Sequence, residues 1–344
     1  MYPSKFLGFL TRLKYMEQEQ NNIVVEAVPA NRLQHFPVTL FAVIMGLSGL
    51  TISYQKAHEI LGFTHWIGTS LAYFVLALFV FLLSVYLLKV IKYPAQVRGE
   101  FTHPIRLNFF AAISISMLLL AVIYHPIQTT LSSYMWYAGA ILHLFLTLYV
   151  LSFWINHNLE IHHSNPAWFI PIVGNVIVPV AGVEYAPTET VMFFFSIGMF
   201  FWIILFALIL YRIIFHHQLV EKFMPTMFIF IAPPAIGFIA YIKITGQLDL
   251  TAQFLYDIGL FFTLLLFFMY KNFMRLKFFI SWWAFTFPMA AITIATILQY
   301  KLTQQAFFEY LAYILLAVTT IIIAIVALRT IQHMLKGEIC VVEK

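Results

Sequence analysis

Between residues 37 and 329 the chain repeats one pattern ten times: a long apolar stretch, then a short polar connection. The stretches fall at 37–54, 67–88, 105–124, 134–155, 167–184, 190–211, 226–243, 252–270, 280–299 and 308–329. A helix needs about 20 apolar residues to cross a hydrocarbon core about 30 Å thick. Inside lipid only helices and closed barrels satisfy their own backbone groups. The pattern therefore predicts an all-α integral membrane protein of ten transmembrane helices. Composition closes the soluble alternative. Hydrophobic residues make up 62% of the chain and charged residues 10%, against about 25% charged in soluble proteins. Residues 1–36 read as an N-terminal tail, 37–330 as one membrane domain and 331–344 as a C-terminal tail.

Charge placement sets an orientation. With ten spans, sixteen of the nineteen Lys and Arg fall on the side of the termini, and only Lys56, Lys243 and Lys301 fall on the other. Cytoplasmic loops carry the excess of basic residues, so both termini are expected in the cytoplasm, in the cell (inner) membrane. The first 35 residues hold no uninterrupted apolar run, and no cleaved signal peptide is expected. Residues 3–16 place Phe6, Leu10 and Leu13 on one side, and read equally as an interfacial helix or as a polar tail.

Prolines divide the spans into two kinds. Pro37, Pro104, Pro166 and Pro225 stand at the beginnings of odd-numbered spans, where a missing N–H costs nothing. Pro171, Pro179, Pro233, Pro234 and Pro288 lie within odd spans, and the even spans contain none. An interior proline frees a carbonyl and bends the helix, and lipid offers that carbonyl no partner. The odd helices are therefore expected inside, along a path, with Pro179, Pro233, Pro234 and Pro288 as kinks. The smooth even helices are expected outside, against lipid or neighbouring subunits. This is a weak repeat of five helical hairpins.

Apart from Arg106, Glu184 and Lys243 at their very ends, the odd spans carry no Asp, Glu, Lys or Arg. Their polar groups are few: Ser48 in the first, Ser114 in the third, Asn175 in the fifth and Thr286 in the ninth among them. A path lined by them is neutral, hydroxyl-bearing and rich in Phe. Proton-coupled carriers place carboxylates or histidines at membrane depth, and here the candidates are Asp257, His143 and Glu309, all on even spans. Asp257 reads as a satisfied interfacial carboxylate rather than a relay. Asn175, between two prolines and beside Gly174, reads as an interhelical hydrogen bond or as part of a constriction. In WWAFTFP, Trp283 and Phe287 share a helix face while Phe285 points elsewhere. Composition alone favours core aromatics there over a gate.

Several chemistries are excluded. The one cysteine, Cys340, permits no intramolecular disulfide and no multi-cysteine metal site. His157, His162 and His163 sit with Glu160 in one loop and His216 and His217 in another; spacing fixes no third metal ligand, so they read as solvated. His143 has no histidine at matching depth to hold a haem with it. No cofactor, metal, nucleic-acid partner or enzymatic activity is predicted.

NPAWFIPIVGNVIVPVAG, FMPTMFIFIAPPAIGF and SWWAFTFPMAAITIAT, in this order, resemble the tellurite-resistance/dicarboxylate transporter family, from about residue 31 to 335. That family includes bacterial TehA and the slow anion channels of plant guard cells. The resemblance implies five hairpins in a quasi-fivefold ring, with the odd helices lining a central pore in each subunit of a homotrimer. It also implies a phenylalanine on the ninth helix that occludes the pore. Phe287 is the favoured position and Phe285 the alternative. The expected cargo is small monovalent anions through a channel. The alternative is a secondary transporter of C4-dicarboxylates, sulfite or oxyanions such as tellurite, with Asp257 and Glu309 as coupling groups. The plant channels carry long phosphorylated tails, whereas here about 36 residues precede the first span and about 15 follow the last, which argues against control by kinases.

Overall fold

The computed structural model describes residues 31–216 and 218–341, and these form an all-helical membrane protein. The tail segment 3–16 and His217 lie outside the described residues. Among the described residues, nine helices are long and apolar enough to cross a bilayer: α1 Val38–Leu61, α2 His65–Lys92, α3 Arg106–Tyr124, α4 Thr129–Asn156, α6 Thr188–Phe215, α7 Glu221–Thr245, α8 Leu250–Phe268, α9 Ile280–Thr303 and α10 Ala306–Leu335. Between α4 and α6 lies α5, Pro166–Gly182, shorter than the rest.

Its winding compensates for that shortness. Seven of its residues, in Pro166–Trp168 and Gly174–Ile177, are 3₁₀ and ten are α. At about 2.0 Å per 3₁₀ residue and about 1.5 Å per α residue, α5 extends about 29 Å, enough for a hydrocarbon core of about 30 Å.

Every odd helix opens in 3₁₀ geometry: Val38–Leu40, Arg106–Phe110, Pro166–Trp168, Glu221–Phe230 and Ile280–Phe285. The five even helices are α from their first residue. Prolines account for part of this. Pro166 is the first residue of α5, and Pro37 immediately precedes α1. Pro104 lies in the turn before α3, and Pro225 falls inside the 3₁₀ stretch, because α7 begins earlier, at Glu221. Pro179, Pro233, Pro234 and Pro288 sit in the first turn of the α segments Val178–Gly182, Ala232–Thr245 and Thr286–Thr303. There the absent N–H removes no α-type bond, so these prolines mark where 3₁₀ winding gives way to α.

Burial separates the two kinds of helix. In the central windows of α1, α3, α7 and α9 between 72% and 78% of residues are buried, against 28% to 39% in α2, α4, α6, α8 and α10. In α5 every residue but Ile170 and Val180 is buried. The even helices turn Phe81, Ile141, Phe200 and Leu264 outward. Each even helix packs on the odd helix before it, which makes five hairpins. Each odd helix packs on the next one: α1 on α3, α3 on α5, α5 on α7, α7 on α9, and α9 back on α1. Gly139, Gly198 and Gly259 let α4, α6 and α8 press against their partners; a methyl group at Gly198 would lie 2.9 Å from the Val176 backbone nitrogen.

One buried ion pair ties the N-terminal entrance together. Lys89, near the end of α2, donates to Glu100 Oε1 at 2.6 Å and to the Phe36 carbonyl at 2.7 Å. The Tyr86 hydroxyl donates to Glu100 Oε2 at 2.8 Å. Glu100 belongs to the short surface helix Pro94–Phe101, so this pair fixes that helix and the entry to α1 against α2.

Candidate site: the interior face of the odd helices

The interior is apolar, and its hydroxyls are occupied. Thr51, Ser53, Ser116, Thr293 and Thr296 each donate to the carbonyl four residues earlier, at 2.6–2.9 Å. Such back-bonding consumes the one hydrogen of a hydroxyl. Ser48 is different: its Oγ is buried and has no hydrogen-bond partner among the described residues. Its proton remains available within an otherwise closed interior.

Phe287 lies in the first turn of the α segment of α9, where Gly49 of α1 makes room for it. A methyl group at Gly49 would meet the ring at 3.4 Å and the Ala290 methyl at 2.6 Å. Phe287 is 6% exposed. One turn along α1, Gly46 faces Thr286 and Trp283 in the same way. The Thr286 hydroxyl donates to the Trp283 carbonyl at 2.7 Å, and the Trp283 indole donates to Thr330 of α10 at 2.9 Å. The α1–α9 contact is thus a notch of two glycines against one turn of α9. The pair of glycines in MGLSG, three residues apart, was the signal in the sequence.

Phe285 is held differently. Its ring packs edge-on against Phe228 of α7 at 4.8 Å, and lies 5.8 Å from both Phe273 and Trp282. Moving it would break three ring contacts. Phe287 instead lies against the backbone of Gly49, which has no side chain.

Ser114 and Asn175 belong to a polar seam between α3, α4 and α5. Ser114 Oγ lies 2.9 Å from His143 Nδ1 and 2.9 Å from the Ala111 carbonyl. Asn175 Nδ2 donates to Thr147 Oγ1 at 2.9 Å and to the Ile172 carbonyl at 2.7 Å. The Thr147 hydroxyl in turn reaches the Pro171 carbonyl at 2.8 Å. His143 is fully buried against Gly174, where a methyl group would lie 2.9 Å from Nε2. These side chains join helices, which is the interhelical role open to Asn175 from its setting.

The remaining ionisable candidates are peripheral. Asp257 is exposed and accepts from Gln253 at 2.8 Å. Glu309 is half-buried near the start of α10. His162 lies 3.1 Å from Glu160, and no three metal-ligating side chains converge among the described residues.

A sequence model of the SLAC1 family, described as voltage-dependent anion channel, matches residues 35–331. The S-type anion channel SLAH3 of Arabidopsis thaliana is 30% identical over 309 residues, which cover 88% of this chain and 49% of that protein. The uncharacterized transporter MJ0762 of Methanocaldococcus jannaschii is 27% identical over 333 residues, 89% of this chain and 97% of that one. The tellurite resistance protein TehA homolog of Haemophilus influenzae is 24% identical over 308 residues, 88% and 92%. The chain spans about half the length of the plant relatives it matches.

Proposed function

The chain belongs to the SLAC1 family of voltage-dependent anion channels, and on that premise we propose that it conducts small monovalent anions passively along the axis enclosed by α1, α3, α5, α7 and α9, with Phe287 as the closing residue. The five odd helices form a quasi-fivefold ring in this reading, each subunit of a homotrimer holding its own pore. Both termini face the cytoplasm of the inner membrane.

One observation carries the proposal: Phe287 sits against the Gly49 backbone, among odd helices whose middle stretches hold no Asp, Glu, Lys or Arg. A large ring in a narrow apolar passage closes it sterically and by dewetting. A path without a strong binding group also lets an anion leave as readily as it enters. The unpartnered Ser48 hydroxyl supplies a neutral donor one residue from Gly49. The exposed Asp257 and the entrance position of Glu309 argue for passive flow over proton coupling.

The test is anion current in planar bilayers. Phe287→Ala is expected to raise it at least about tenfold, the ratio corresponding to about 1.4 kcal/mol. Phe285→Ala is expected to lower stability and leave the current small. If Phe285→Ala conducts and Phe287→Ala is silent, the gate is misassigned. If neither conducts, the gate reading fails.

A further inference from the structure

Lys56, Lys243 and Lys301, the three basic residues on the side opposite the termini, all stand near the C-terminal ends of odd helices: α1, α7 and α9. The odd helices run in one direction, so these ends gather at one mouth of the axis. That mouth is unfavourable to anions on backbone grounds alone. Five helix C-termini present unpaired carbonyls and the negative ends of their dipoles. Anions entering there need a compensating cation.

The three lysines are not equally available. Glu59 takes two of them: Lys56 Nζ lies 2.5 Å from one carboxylate oxygen and Lys301 Nζ 2.8 Å from the other. Lys243 has only Glu184, just beyond α5, at 4.0 Å, which is too long for a hydrogen bond. Its charged neighbours are Lys56, Lys301, Glu59 and Glu184. Around the circuit of odd helices α7 is separated from α1 by α9 on one side and by α5 and α3 on the other. Charges on α1 and α7 therefore face one another across the opening. Within this group three ammonium groups stand against two carboxylates, and Lys243 is the ammonium held most loosely, its ion-pair partner Glu184 standing at 4.0 Å. Its side chain is 42% exposed.

We propose that Lys243 is the anion-capture residue of this mouth, drawing a small monovalent anion such as chloride or nitrate from solution to the head of the axis. Glu59 pins Lys56 and Lys301 at the rim, so that they offset the helix dipoles without binding the anion tightly. This rests on the conduction reading above and adds to it a specific entry site. A lysine that only complements the dipole of its own helix would affect stability and leave conduction untouched.

The experiment places Lys243→Gln in the full-length Phe287→Ala background and records unitary chloride current at about 20 mM and about 1 M salt, where the screening lengths are about 20 Å and about 3 Å. The expected result is a loss of about threefold at low salt for anions entering by this mouth, with Lys243→Glu losing more, and a loss that vanishes at high salt. Equal unitary currents at low salt overturn the proposal. Lys243→Met, which keeps the aliphatic stem, gives the same reading if the Gln variant does not fold. If Phe287→Ala is silent while Phe285→Ala conducts, the same comparison is made in the Phe285→Ala background; if neither background carries current, the conduction reading fails and the site is read by melting in detergent. A nitrate-induced rise in melting temperature that Lys243→Gln abolishes supports capture, and an equal rise in both proteins overturns it.

Discussion

Lys89 is completely buried at the end of a membrane helix, where an unpaired ammonium would cost several kcal/mol. Glu100, the Phe36 carbonyl and Tyr86 together satisfy it and its partner. Removing only the carboxylate leaves a charge in a site built for a pair. Glu100→Leu is expected to destabilise the protein by about 3–5 kcal/mol, whereas the double change Lys89→Met with Glu100→Leu recovers most of that loss. Denaturant titration in detergent micelles reads the difference. Losses that simply add would mean the two groups do not act as a pair. The same scale explains the polar candidates. From sequence, Ser114 and Asn175 are polar residues on inner helices; in the structure each bonds both a carbonyl of its own helix and a side chain of α4. Among the buried hydroxyls of the described residues, only that of Ser48 is uncommitted. A list of polar side chains cannot distinguish these cases, because satisfaction depends on what lies within about 3 Å.

At the scale of the element, the difference between odd and even helices was legible because winding and lipid exposure are local properties. Proline cannot donate, so it collects where the chain starts a helix or changes winding. Smooth runs such as LAYFVLALFVFLLSVYLL need only be apolar. The glycine contacts were less legible. Gly198 and Gly99 look alike in sequence, but α6 packs on α5 at Gly198, while Gly99 faces open space on the short surface helix. Gly198→Ala would meet Val176 Cγ1 at 2.6 Å and the Val176 nitrogen at 2.9 Å, and is expected to cost about 1–3 kcal/mol. Gly99→Ala is expected to gain about 0.5–1 kcal/mol from helix propensity. Melting temperatures of the two variants should move in opposite directions; a Gly198→Ala protein as stable as the parent would mean that α6 is free to move off α5.

For the whole molecule, the closed circuit of odd helices creates an interior that no single helix defines. The odd helices carry their charged residues near their ends and none in the middle. Reversal potential in asymmetric salt is the measurement suited to this scale. In a tenfold chloride gradient, a channel of the proposed kind shifts its reversal potential toward the chloride equilibrium value and passes current that follows voltage. A shift toward the cation value would overturn the charge assignment. Saturable uptake abolished by a protonophore would replace conduction by carrier transport.

By itself the sequence determined the membrane setting, the count of helices and their division into inner and outer sets. Each of these follows from the transfer energy of about 20 consecutive residues and from whether their backbone can pair within the segment. Only the tertiary structure decided which groups meet. Gly49 opens space for a ring on α9, Ser114 answers His143, Glu100 answers Lys89, and three lysines from α1, α7 and α9 share one mouth. These contacts join residues far apart along the chain, and their energies fall within a few ångströms of separation or with screened Coulomb distance. Local pattern carries no record of such distances; the closure of α9 onto α1 sets them.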